Sequence, residues 1–314
     1  MKNNPFPYSL DNKRYHTWNY YLRNRYQNKV AKVPLDAGFT CPNRDGKLSY
    51  GGCTFCSEKG AGDFPIDIEK NLHQQFEQRY GVMHNKWPDC LAMAYFQAFT
   101  NTYAPLEKLE SIFQPFVENQ NIVAICIGTR SDCIDDECLE YLAQISQQKD
   151  VWIELGLQSI HDTTTDSLNC KHTYQQFLDV VERLSKTNCK ICVHLLNGLP
   201  NETAEMMVES AREVGKLPID ALKIHMLHLV KGSRLALEYQ KQPWELLTKE
   251  QYILTVIKQL EYLPANIVIQ RLTGDGLADM LLEPKWTLKK TAVLNDIDKE
   301  MKKQNTWQGK KVSG

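Results

Sequence analysis

The chain has 314 residues, 42% of them hydrophobic and 24% charged, and a net charge of −1. That is the composition of an ordinary globular protein, long enough for one large α/β barrel or two modest domains. No apolar run approaches the ~20 residues of a membrane span, and MKNNPFPYSLDNKRYHTW at the N-terminus lacks a signal-peptide core, so a cytoplasmic protein with no membrane partner is expected.

Residues 1–29 read as a basic, aromatic extension. Tyr8, Tyr15, Trp18, Tyr20, Tyr21 and Tyr26 are interleaved with Lys13, Arg14, Arg23 and Arg25. Aromatic faces stack on unpaired bases and cations follow the backbone, which points to an RNA partner. The alternative is a leading helix that packs Trp18 and Tyr21 onto the body while its cations face water. A strand over Val30–Leu35 comes next, followed by the loop CPNRDGKLSYGGCTFC with Cys41, Cys53 and Cys56. Further strands are predicted over Leu91–Gln97, Ile122–Ile127, Val151–Leu157, Lys190–Leu196, Leu222–Leu227 and Ile267–Ile269. Helical patterns fall over 66–83, 105–119, 135–149, 173–187, 202–217 and 248–263. Asp135 and Thr173 suit N-caps, and Pro105 suits a first helical turn. This alternation means βαβ units around a parallel sheet, a closed or partly closed barrel over 30–284 with its chemistry at the C-terminal strand ends. Residues 285–314 form a Lys-rich tail, with eight Lys against three acids, as residues 1–33 carry seven Lys or Arg against Asp11. Basic ends on an acidic body suit a polyanion touching the termini, or else simply solvated ends.

Three thiolates hold three irons of a [4Fe–4S] cube, and the iron left without a protein ligand is an open coordination site. A zinc knuckle needs a fourth Cys or His at short spacing; the nearest are His16 and His73, both distant. A disulfide is not expected in a chain without a secretory leader. The other seven cysteines read as small reduced core residues, and strand alternation separates the side chains of Cys189 and Cys192.

Polar residues gather where the strands end. The second strand runs into Gln97–Tyr103, the third into Gly128–Asp132, the fourth into Glu154–Ser159, the fifth into His194–Pro200 and the sixth into Lys223–His228. A charge in an apolar strand is costly to bury without a partner, so Glu154, His194 and Lys223 are expected to face the lumen or its mouth.

With these segments in view the chain resembles the radical S-adenosylmethionine (SAM) superfamily, specifically its YhcC/YtqA branch, related to the catalytic subunit of Elongator and to coproporphyrinogen-type enzymes. The matching segments are the cysteine loop, GAGDF (60–64), AYFQAFTNTYAPLE (94–107), IGTRSDC (127–133), ELGLQSIHD (154–162), VHLLNGLPNET (193–203), KIHMLHLVKGS (223–233) and RLTGDG (271–276). The spacing C-x11-C-x2-C departs from the commoner C-x3-C-x2-C and is like that of the Elongator-related group.

The resemblance implies a partial (β/α)6-type parallel barrel carrying a [4Fe–4S] cluster and SAM. Cys41, Cys53 and Cys56 would ligate the cluster, and Phe55 would pack near the adenine. Gln97, Thr100, Asn101 and Thr102 match the segment that holds the methionyl amino group. Arg130 or Gln158, with Ser159 beside it, would meet the carboxylate or ribose hydroxyls, and Asn197 and Leu199 the adenine. Glu154, His194 and Arg271 are the candidates for work on the substrate, with His225 and His228 also at the mouth. The implied chemistry is reductive cleavage of SAM to methionine and a 5′-deoxyadenosyl radical, with a flavodoxin or ferredoxin as electron donor. The Elongator likeness implies tRNA as partner and the C5 side chain of its wobble uridine as target. With no room for Elongator's acetyltransferase domain after the barrel, the expected reaction reshapes an existing group such as carboxymethylaminomethyl. Two other readings stand beside it: a radical SAM enzyme of a small metabolite or tetrapyrrole, and a non-catalytic iron–sulfur sensor.

Overall fold

Apolar, β-branched runs fold as strands at every place the sequence predicts one. The computed structural model describes residues 4–58, 60 and 69–312. Strands β1 (Val30–Leu35), β2 (Leu91–Phe96), β3 (Ile122–Thr129), β4 (Asp150–Gln158), β5 (Lys190–Asn197), β6 (Ala221–Met226) and β8 (Val268–Arg271) pair in that order, all parallel. They form a curled half-barrel. A short antiparallel ribbon of β7 (Leu229–Val230) and β9 (Leu281–Glu283) stands apart from it. The crossovers are helices α2 (Leu72–Lys86), α3 (Leu106–Glu118), α4 (Asp136–Ser146), α6 (Tyr174–Ser185), α7 (Ala204–Val214) and, in the last, α8 (Arg234–Lys241) followed by α9 (Lys249–Tyr262). Asp135 and Thr173 cap α4 and α6 through their side chains, while Pro105 occupies the N-cap of α3 rather than its first turn. Residues 66–68 of the expected 66–83 helix lie outside the described residues; α2 itself starts behind an Asn71–Gln74 capping box.

Strand alternation splits the sheet into two faces. One face packs Leu35, Phe96, Ile125, Ile153, Val193 and Leu222 against the helices. The other, which lines the half-barrel, carries Met93, Ala124, Cys126, Trp152 and Cys192. Cys189 and Cys192 accordingly lie in different clusters.

The ends are not appendages. Helix α1 (Trp18–Tyr26) closes the lumen from below: Trp18 stacks on Tyr21 at 5.3 Å, and both meet Trp152 edge-on at 5.0 and 5.6 Å. Arg25 makes a bidentate pair with Asp150, and the Tyr26 hydroxyl donates to the same carboxylate at 2.7 Å. The Lys-rich tail is helix α10 (Lys290–Lys303), which buries Val293, Ile297 and Met301. Lys13 pairs with Asp298, and the Gln308 amide donates to Pro264 and Ile267 carbonyls at 2.7 and 2.8 Å. Of the two readings of the N-terminal stretch, the packed leading helix is the one seen, except that Arg25 and Lys13 meet acids on β4 and α10 rather than water, which charge counts do not show. Among the described residues, no helix is long and apolar enough to cross a membrane.

Candidate functional site

The cysteine loop leaves the C-terminal end of β1 and is fastened to the segment between α5 (Asp162–Ser167) and α6. The Thr54 amide donates to Leu168 O at 2.9 Å, and Asn169 Nδ2 donates to Gly52 O at 2.9 Å. Gly52 has φ +79°, and a Cβ there would come within 2.9 Å of Arg44 Nε, so this turn requires glycine. The fully buried Asn43 donates through Nδ2 to the carbonyls of Asn169 (2.7 Å) and Cys170 (2.8 Å) and stands 3.5 Å from Cys53 Sγ.

The three half-buried thiols Cys41, Cys53 and Cys56 converge here. Hydrogen bonds from Cys170 and Cys56, with Arg130 and Asn43 nearby, hold the Cys53 thiol well below its usual range. Its role as donor to Cys53, together with burial, pushes Cys56 up. Three cysteine sulfurs gathered at one loop fit the donor set of an iron–sulfur cluster, since soft sulfur is what iron in such clusters takes. Cys170 is a core residue as expected, yet it also touches Cys53 Sγ; only the fold brings the two together from distant parts of the sequence.

Below this rim, within the lumen, lies a charged layer. Glu154 on β4 has no exposed surface and receives Lys32 from β1 and Lys223 from β6, while His194 Nε2 on β5 is 3.2 Å away. The Tyr95 ring lies 4.0 Å from the Lys32 ammonium and 4.9 Å from that of Lys223. His225 stacks obliquely on His194 at 5.3 Å, and its Nε2 has no hydrogen-bond partner among the described residues. Burial alone would raise the Glu154 carboxyl; the two ammoniums and His194 outweigh it and hold the group well below the usual range. Burial and the Lys223 charge push His194 down to about 4. His194 is therefore neutral at physiological pH, and its stabilising contribution falls as pH drops from 6.5 toward about 4. A histidine NMR titration is expected to find His194 near pH 4 and to see it move upward in Lys223→Met.

Residues 41–214 match the Radical SAM superfamily, and residues 219–303 match the Radical SAM C-terminal domain. The chain belongs to the radical SAM superfamily. It is 44% identical over 310 residues to the uncharacterized protein YtqA of Bacillus subtilis (strain 168), spanning 99% of this chain and 96% of that one. A tRNA uridine(34) acetyltransferase of Methanocaldococcus jannaschii is 22% identical over 164 residues, 51% of this chain and 30% of that protein. Among solved structures, the archaeal Methanocaldococcus infernus Elp3 with an N-terminal deletion superposes with a TM-score of 0.68 at 17% identity, covering 90% of this chain and 64% of that chain. Radical SAM enzymes use a [4Fe–4S] cluster and SAM.

The residues expected to hold SAM line the rim of this radical SAM barrel, with differing freedom. After β2, Ala98 and Phe99 both adopt positive φ (68° and 57°), a strained pair for non-glycine residues. They present Gln97 and Asn101, both buried, whose Nε2 and Oδ1 atoms respectively have no partner among the described residues. Thr102 is tied to Thr129 (2.5 Å) and to Cys133 O (2.6 Å), while the Thr100 amide donates to Thr40 O at 3.1 Å. Arg130 is engaged internally: it grips Asp132 at 2.7 and 2.8 Å and donates to Cys170 O at 2.7 Å. Asn197 exchanges two amide bonds with Gln259 of α9 at 2.8 and 2.9 Å. The Ser159 hydroxyl donates to Glu202, and Gln158 sits at φ 66° beside a register shift of β4. Leu199 and Phe55 share a small apolar cluster with Leu168 and Leu227. Arg271 pairs with Asp275 at 2.7 Å, and its charge reaches His225 and Tyr95. Within GAGDF, residues 61–64 lie outside the described residues. Lys32 and Tyr95 were not anticipated as site residues, although a lysine inside the apolar VAKVPL strand was the available signal.

Proposed function

We propose that this radical SAM enzyme acts on the C5 side chain of a tRNA wobble uridine. The name of the relative that acts on tRNA uridine 34 supports the substrate class, and the lined lumen beneath the cysteine rim supports a reaction on a group inserted from above. The single observation that carries the enzymatic reading is the stacking of these two levels: three converging thiols at the mouth and a layer of ion pairs beneath them. A non-catalytic sensor has no use for the second.

Cys41, Cys53 and Cys56 would hold the cluster, and Gln97 Nε2 and Asn101 Oδ1 offer unspent polar atoms to the amino-acid end of SAM. The apolar Phe55–Leu199 patch suits a purine face. Arg130 and Asn197 act here by positioning the rim, because their polar groups are already spent on protein partners. When bound, the cluster and SAM supply an organic radical able to abstract hydrogen; the chain orients the reactants and excludes water. A small acidic electron carrier of the flavodoxin or ferredoxin kind would provide the electron.

Anaerobic reconstitution with iron and sulfide, followed by reduction with SAM and undermodified tRNA, tests this. The expected result is 5′-deoxyadenosine formation accelerated by tRNA, a mass change at one uridine, and loss of both in Cys56→Ala. Cleavage indifferent to tRNA would instead support a small-molecule substrate. That second reading is favoured by one observation: the terminal aromatics and several of the terminal cations expected to hold RNA are engaged within the protein.

A further inference from the structure

The charged layer contains one carboxylate, Glu154, for two ammoniums, Lys32 and Lys223. Among the described residues, no second acid of the lumen face reaches them. Facing the layer are Tyr95 from β2, Cys126 from β3, Cys192 and His194 from β5, and His225 from β6. Arg271 of β8, next to Lys223 in the register, already has Asp275 as partner. The layer therefore carries one uncompensated positive charge in a confined space, where an unpaired charge is costly. It is also reachable: Lys32 and His194 keep 22% and 21% of their side-chain surface, while Glu154 keeps none. A net positive charge in a partly exposed layer below the rim is the arrangement of an anion receptor.

We infer that Lys32 and Lys223 receive a carboxylate carried by the substrate, with the unpartnered Nε2 edge of His225 beside them. The inference deepens the reading proposed above, resting on it only in that the substrate group enters the lumen. A monoanion matches the excess charge; a phosphate dianion overcompensates it. A carboxylate is also flat enough to lie between two ammoniums, each making a charge-assisted hydrogen bond. Glu154 then has a positioning role, holding both lysines extended toward the lumen. Burial is the larger cause of the depressed titration of His194 and His225, and the Lys223 charge adds to it.

The test uses the cluster-loaded full chain, with histidine NMR as readout and His194→Asn to assign the signal. Acetate is the probe, acetamide its neutral isostere and inorganic phosphate the competing anion, at constant ionic strength and about pH 7.5, where acetate is ionised and phosphate is chiefly a dianion. Acetate is expected to shift the His194 ring signal saturably, because an anion between the lysines changes the field at the neighbouring imidazole. Acetamide should do nothing, and phosphate should act only at much higher concentration. In Lys32→Met the acetate needed for a half-maximal shift should rise about tenfold or more, the effect of losing one charge-assisted bond. Lys223→Met should do the same, so the proposal does not depend on the folding of one variant. An equal response to acetamide, no response to acetate, a stronger response to phosphate, or unchanged midpoints in both variants would overturn the assignment. Because no tRNA is present, the two readings fail separately. Acetate binding without uridine modification removes the tRNA substrate and keeps the receptor; uridine modification without acetate binding does the reverse.

Discussion

Glu154→Gln is expected to lower folding stability by about 3–5 kcal/mol, the cost of leaving buried charges without their partner. The substitution keeps the side-chain shape but strands Lys223, whose side chain is 7% exposed, and deprives Lys32 of the acid it pairs with. Urea unfolding monitored by circular dichroism measures the loss. Lys223→Met added to the Glu154→Gln variant should recover most of it, because it removes the more buried of the stranded charges. Lys223→Met alone should be close to neutral, leaving one carboxylate on one ammonium with an apolar chain of similar length filling the space. The pH dependence follows from the same arrangement. The Glu154 carboxyl is held below its ordinary value, so its contribution is complete above about pH 4.5 and is lost as pH falls through the lower, folded-state value. Glu154→Gln should therefore flatten the acid limb of the stability profile as well as lower its plateau. Equal stability of Glu154→Gln and the parent at pH 7 would mean that the stranded lysines find water or other partners.

The strands were legible because each is an apolar run with turn residues at its ends, and the parallel order followed from the helical patterns between them. Glu154, His194 and Lys223 were legible for a related reason: a charge in an otherwise apolar strand stands out. Lys32 has the same signature in VAKVPL but sits just after a basic, aromatic stretch that absorbed its charge into an apparent tail. Tyr95 gives no signal, since tyrosine is ordinary in a strand. Register decides the rest. Cys170 against Cys53, Arg25 against Asp150 and Lys13 against Asp298 are meetings of residues more than a hundred positions apart, set by how crossovers return. Helix α10 carries a weak version of the same lesson: its Val293, Ile297 and Met301 repeat at helical spacing, but eight lysines in the last thirty residues hide the stripe.

Trp152→Ala is expected to cost about 3–5 kcal/mol, as large-to-small changes of buried aromatic residues do. Trp152 has no exposed surface, and Trp18 and Tyr21 both lie edge-on to it, so its loss opens a cavity between the sheet and α1. Near-ultraviolet circular dichroism should lose intensity along with the unfolding midpoint. Removal of residues 1–28 takes away the other side of the same contact, together with the Arg25–Asp150 and Lys13–Asp298 pairs, and should be at least as damaging. This changes how an RNA-binding role of the termini can be tested. A truncated chain that no longer retains tRNA has lost its lumen floor as well as its cations, so the result carries no information about RNA. Arg23, Lys289 and Lys302 are exposed, and replacing them with Glu leaves the plug untouched, with stability expected to stay within about 0.5 kcal/mol. If the termini follow a polyanion, that variant should retain tRNA only at lower salt than the parent and with a shallower salt dependence. Parallel salt curves for a variant that is fully folded would place the RNA contact elsewhere, on the rim around the cysteine loop.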